Sequence, residues 1–198
     1  MGNLGSVRRA LIEVGADPII AEKPEELQAT DRIILPGVGN FADGMGNLTE
    51  GGWVEGLREH TKRGRPLLGI CLGMQLLADY GAEGGGCAGL GLISGEVQKI
   101  DTQDSSLRIP HSGWNNIKLI GKSEGLFKGI PSETDFYFVH SFVFQPSKPE
   151  NILATVNYGV PLTAAISSGS IFGTQFHPEK SSKSGLRVLR NFLETQTC

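Results

Sequence analysis

Long apolar runs are missing from this chain of 198 residues. None approaches the ~20 residues that a membrane-crossing helix needs, so no membrane partner is expected. Cysteine is scarce. Cys71, Cys87 and Cys198 make an odd count of three, which argues against a disulfide framework and for a reducing, cytoplasmic setting. Clustered positive charge is absent too. The net charge is −3, and no group of Lys and Arg could track a phosphate backbone, so nucleic acid is excluded as an expected partner. No set of His, Cys and carboxylates has metal-ligand spacing, and no glycine loop has P-loop spacing. No metal and no cofactor is expected. With no internal repeat and no linker, residues 1–198 read as a single domain. What the chain has in excess is glycine, 28 residues, about twice the usual ~7%. Many of these sit in pairs or triplets near turns, which points to tight functional loops.

Two of them bracket one cysteine. The apolar run Pro66 to Ile70 reads as a buried strand and Leu72 to Tyr80 as the helix that follows. Cys71 then lies on the sharp turn between them, with Gly69 and Gly73 two positions away on either side. This is the spacing of the G-x-S-x-G nucleophile elbow with sulfur in place of oxygen. Backbone N–H groups and the positive end of the helix would favour thiolate over thiol. That help matters, because a free cysteine is only a few per cent ionised at neutral pH. The alternative is a structural core cysteine; the glycine bracket decides for the nucleophile. Cys87 and Cys198 lie in a glycine-rich loop and at the terminus, and read as bystanders.

Around the elbow the first half alternates helices and strands. Val7, Ala10, Leu11 and Val14 mark a helix ended by Gly15, and Asp17 to Ala21 contains a short strand. A helical turn at Pro24 to Leu27, a strand from Asp31 to Leu35 and helices at Phe41–Leu48 and Trp53–Arg63 follow. Alternation with short loops predicts an α/β, doubly wound, mostly parallel sheet flanked by helices. After a glycine-rich loop from Gly81 to Gly91, the pattern turns to antiparallel strands. These are expected at Gly95–Ile100, Asn116–Ile120, Phe136–Phe144, Ile152–Val156, Thr163–Ser167 and Ser170–Phe176, before a last helix at Lys183–Leu193.

The base should be His177. Histidine titrates near neutral pH, and His177 directly follows a predicted strand. Glu179 is placed to accept the other ring N–H and hold the tautomer, a triad arrangement. By itself His-x-Glu is more often the pattern of a surface turn with an incidental pair. His60 reads as solvated on its helix; His111 and His140 read as satisfied core or interface histidines.

GICLGMQLL with a downstream FHPEKS resembles the class I (triad) glutamine amidotransferases. Within them LPGVGNF, PHSGWN and YFVHSF are similar to the branch formed by the glutaminase subunits of imidazole glycerol phosphate synthases. The likeness runs from Gly2 to about Leu193 and implies the flavodoxin-like fold of that family. It implies that Cys71 is the nucleophile, His177 the base and then acid, and Glu179 its orienter. It places Gln75 and Glu83 on the substrate, with Glu83 facing the α-ammonium, and Gly39 and Ser141 as backbone contacts to the amino-acid end. The N–H groups of Leu72 and Val38 would form the oxyanion hole. Asn3, Trp114 and Lys180 fall at positions near the docking face for a (β/α)8-barrel cyclase, the partner implied. The chemistry implied is hydrolysis of L-glutamine to glutamate and ammonia through a glutamyl thioester. The ammonia would pass to the cyclase for imidazole glycerol phosphate formation in histidine biosynthesis.

Ser112 stands where methionine is more usual in the family and Phe142 where tyrosine is common; neither touches the chemistry. A third departure is larger. The family begins with an apolar strand, whereas this sequence opens on a loop and a helix. The expectation is an N-terminal strand missing from the sequence as given, with Met1 the internal methionine of a longer Gly-Met-Gly-Asn stretch. Other readings remain beside this one. A sister glutaminase serving anthranilate, pyridoxal phosphate or guanylate synthesis is opposed by PGVG and HSGWN. A non-catalytic module of the same fold is opposed by the intact triad. A cysteine peptidase with an elbow has no use for Gln75 and Glu83.

Overall fold

Strand β2 (Leu67–Cys71) has all of its residues buried, and the sheet is laid out around it. In the computed structural model, which describes residues 4–102, 106–121 and 124–195, β2 pairs in parallel with two strands. They are β1 (Ile33–Gly37) on one side and β11 (Ile171–Thr174) on the other. The sheet continues through β10 (Val160–Ser168), β9 (Ile152–Tyr158), β6 (His111–Leu119) and β7 (Thr134–His140), all antiparallel. A smaller sheet runs β4 (Cys87–Ala88), β3 (Tyr80–Gly81), β5 (Gly95–Lys99), β8 (Phe142–Pro146). The parallel half and the antiparallel second half are both present. Taken whole, the large sheet is mixed rather than mostly parallel, since only the β1–β2 and β2–β11 pairings are parallel.

Side-chain alternation along β2 feeds two cores. Leu68 and Ile70 belong to the cluster under α1 (Leu4–Glu13) and α5 (Ser182–Leu193), while Leu67 belongs to the other. That second cluster lies under α2 (Phe41–Glu50), α3 (Trp53–Lys62) and α4 (Leu72–Gln75). Helix α1 buries Val7, Ala10 and Leu11, the spacing read from sequence. In α5, Val188, Leu189 and Phe192 are fully buried, and Leu186 and Leu193 pack more loosely against the same core. Each such side chain contributes about 1.5–3 kcal/mol when withdrawn from water.

Four expectations are corrected. Asp17 to Ala21 forms no strand: among the described residues no backbone group bonds to it as a ladder partner, and Ile19 is left 83% exposed. The elbow helix stops at Gln75 rather than running to Tyr80. The carbonyls it would have used are taken by the following loop, where Leu90 donates to Leu76, Leu92 and Ile93 to Leu77, and Gly91 to Ala78. Within the expected glycine-rich loop, β3 and β4 pair as a short hairpin. Phe136–Phe144 is two strands, not one. The chain leaves the large sheet after His140 and enters the small one at Phe142, with Ser141 as the joint and its carbonyl held by the Ile100 N–H.

Candidate active site

The elbow is built by crowding. Cys71 has φ 55° and ψ −111°, a region costly for any residue with a side chain. A Cβ on Gly69 would lie 2.5 Å from the Gly73 carbonyl oxygen, and one on Gly73 only 1.8 Å from that of Leu35. The two glycines let β2 turn into α4 against β1.

Cys71 and His177 come from the ends of neighbouring strands, and both line a cavity of about 300 Å³. Val38, Gly39, Leu72, Gln75, Glu83 and Ser141 line the same cavity. The structure thus gathers every sequence-predicted nucleophile, base, oxyanion and substrate residue in one place, with Glu179 just behind. His177 Nδ1 donates to Glu179 Oε1 at 2.8 Å, and both side chains are almost fully buried. Nε2 is buried without a closed hydrogen bond, although Cys71 is near enough to act on the ring. Catalytic hydrogen bonds are commonly loose before substrate arrives. Burial alone would lower the His177 pKa. The nearness and charge of Cys71, with the hydrogen bond and charge of Glu179, outweigh it, and the pKa is raised to about 9.

A raised folded-state pKa stores stability in the protonated form. The contribution is complete below pH 6.5, the unfolded value, and disappears as pH climbs through about 9. Chemical denaturation should therefore show stability falling across that window, by up to about 3 kcal/mol. In His177→Asn this fall should be absent. An equal fall in both proteins would mean that other groups cause it.

Glu83 sits across the cavity. Its Oε2 accepts the backbone N–H of Phe41 at the start of α2 (2.9 Å). Burial raises its pKa above the ordinary carboxylate range; that backbone bond opposes the rise, and the Asp43 charge adds to it. A half-buried carboxylate under this strain is relieved by a cation in the cavity. Gln75 Nε2 donates to the Phe142 carbonyl and to Gln175 Oε1, both at 3.0 Å.

Not all histidines behave as read. His60 is buried rather than solvated, its Nε2 3.1 Å from the carbonyl of Pro66 just ahead of β2, because α3 turns this face inward. Burial lowers its pKa. His111 and His140 are satisfied core histidines, and their tautomers follow from their neighbours. His140 Nδ1 must donate to the Phe142 carbonyl (2.8 Å), so its Nε2 accepts from His111 Nδ1 (3.0 Å). His111 Nε2 then accepts from Asn115 (3.3 Å). Both are neutral at physiological pH, with burial holding each pKa at about 4.

Outside the cavity, Trp114 is 55% exposed and meets Tyr137 edge-on, while Lys180 lies over the Tyr137 ring. Tyr137 and Val139 point to the same face of β7, and Val139 lines the cavity, so this patch adjoins its mouth. Asn3 lies outside the described residues, as does Cys198. Cys87, in β4, takes no part in the cavity. Among the described residues no cluster could hold a metal, and no helix is long and apolar enough to cross a membrane. Sequence reading missed Gln175, whose Nε2 lies 3.7 Å from Cys71 Sγ. A signal existed: in the strand expected at Ser170–Phe176, Gln175 stands two positions before His177.

A cysteine on a strained strand-to-helix turn, beside a buried His–Glu pair in an α/β fold, has the geometry of a nucleophile elbow. The family model of class-I glutamine amidotransferases matches residues 2–195, and the chain belongs to that family. It is 48% identical over 194 residues to a Moorella thermoacetica protein named imidazole glycerol phosphate synthase subunit HisH, covering 98% of this chain and 90% of that one. A Methanosarcina barkeri protein of the same name is 47% identical over 197 residues, with 98% and 94% covered. Among solved structures, a glutamine amidotransferase superposes with a TM-score of 0.75 at 23% identity, over 98% of this chain and 93% of that one. The structure of PurLQS from Thermotoga maritima gives 0.72 at 20% identity, with 96% and 91% covered. At these identities the structures speak for the fold alone.

Proposed function

We propose that this chain is the glutaminase subunit of an imidazole glycerol phosphate synthase, hydrolysing L-glutamine and passing the ammonia to a cyclase partner. The observation that carries the proposal is the single cavity shared by Cys71, His177, Gln75 and Glu83, with Glu179 bonded to His177 behind it. In this reading Cys71 Sγ attacks the side-chain amide carbon of glutamine. The backbone N–H groups of Leu72 and Val38 receive the oxyanion, each donor being worth about 3 kcal/mol. His177 gives its Nε2 proton to the departing ammonia, leaving the glutamyl thioester. Water, deprotonated by His177, then releases glutamate and the free thiol. Glu179 keeps the imidazole's Nδ1–H turned away from the sulfur throughout. Gly39 and Ser141 would hold the amino-acid end, whose ammonium meets Glu83.

Ammonia released to bulk water would be protonated and lost as a nucleophile. The exposed Trp114, Tyr137 and Lys180 patch beside the cavity suits the docking of the (β/α)8-barrel cyclase, which would receive the ammonia directly. The test is a glutaminase assay of the purified chain, alone and with the cyclase it co-purifies with. No hydrolysis in either state would overturn the reading; transfer to a different synthase would move it to a sister pathway. If Glu83 holds ground and transition states alike, Glu83→Gln should raise KM at least tenfold and leave kcat within about threefold. Equal losses of kcat and kcat/KM would place Glu83 in the chemistry instead.

A further inference from the structure

The polar chain that ends on the nucleophile has a fixed direction. The Phe142 carbonyl can only accept, so the amide group of Gln75 that meets it at 3.0 Å must be the donor, Nε2. The second hydrogen of that nitrogen goes to Gln175, 3.0 Å away, which therefore presents Oε1. Gln175 is then left with Nε2 turned to Cys71 Sγ, at 3.7 Å. Neither amide can flip without setting donor against donor or acceptor against acceptor. From the other side the Val139 carbonyl lies 3.8 Å from the same sulfur, so Sγ sits between one donor and one acceptor.

Gln175 has little freedom to do anything else. It is wholly buried, its backbone N–H is bonded to the Ala164 carbonyl, and Thr174 Oγ1 clamps the Phe176 carbonyl beyond it. A buried amide with both ends committed is costly to disturb, because losing one partner strands the others.

We infer that Gln175 is a positioning residue: its carboxamide couples the orientation of the Cys71 sulfur to Gln75, so that the sulfur is aimed by the residue beneath the substrate. The inference rests on the glutaminase reading for its substrate, but not for its contact with sulfur, and two assays separate them. Gln175→Met keeps length and removes both polar ends. In folded protein, kcat for glutamine should fall about tenfold or more while KM rises no more than about threefold. The rate of Cys71 alkylation by iodoacetamide, which needs only the sulfur, should fall at least about threefold.

Gln175→Glu keeps an acceptor for Gln75 and turns an oxygen onto the sulfur. It should show a wild-type KM but alkylate as slowly as Gln175→Met. Adding Gln75→Met to Gln175→Met should slow alkylation little further, because the two amides act on the sulfur as one unit. Alkylation at the wild-type rate in both variants would overturn the contact, and independent, multiplying losses of alkylation rate would overturn the coupling. Should Gln175→Met fail to fold, Gln175→Glu, of nearly the same shape, carries the alkylation comparison alone. If wild-type protein alkylates normally but hydrolyses no glutamine, the glutaminase reading fails while the comparison still decides on Gln175.

Discussion

Cys71→Ala is expected to lose glutamine hydrolysis by about 10⁴-fold or more, the scale seen when a covalent nucleophile is removed. In complex with the cyclase, the same variant should still form product from added ammonium salts, because the second reaction never touches the thiol. Glutaminase activity within tenfold of wild type would remove Cys71 from the nucleophile role. The backbone supplies a separate check. Alanine at φ 55° keeps the strain of the elbow, whereas glycine does not. Cys71→Gly should therefore be more stable than Cys71→Ala by about 1 kcal/mol in denaturant titration. Equal stabilities would mean that the turn relaxes when sulfur is absent.

Gly73→Ala should damage stability and activity together. The added methyl would lie 1.8 Å from the Leu35 oxygen and 2.8 Å from its carbonyl carbon, atoms of β1 that no rotamer can move. Either β1 or the elbow must shift. The expected loss is about 3 kcal/mol or more, with kcat falling because Leu72 and Cys71 move with the turn. Gly46→Ala is the control: it lies inside α2 with nothing within 4 Å of the new methyl. It should raise stability by about 0.5–1 kcal/mol and leave activity alone. A stable, active Gly73→Ala would show the crowding at the elbow to be soft.

Local signals were legible in sequence and long-range ones were not. The glycine bracket announced the elbow because its cause, a lack of room around Cys71, is carried by the neighbouring residues themselves. Helices α1 and α5 were visible for the same reason, since their apolar spacing is local. The end of α4 was invisible, because it is set by N–H groups at Leu90 to Ile93 that capture its carbonyls. The break at Ser141 was hidden inside one run of strand-forming residues, as each half finds its partner in a different sheet. His60 was misjudged because α3's orientation on the sheet cannot be read from the helix alone. Gln175 was passed over because its place two positions before His177 gains meaning only once the sulfur it faces is known.

Strands β2 and β11 lie side by side in the sheet, yet the groups they bring together come from widely separated parts of the chain: Gln175 and Cys71 are 104 positions apart. Closing so long a loop is entropically expensive and is deferred in folding, after local helices and hairpins have formed. During synthesis, Cys71 leaves the ribosome well before His177 and Glu179 exist. On the proposed reading the nascent chain carries a cysteine with neither base nor orienting amide, and hydrolysis would begin only when β11 docks against β2. An interrupted or misfolded chain would then hydrolyse no glutamine, which would be spent only by protein that has finished its sheet.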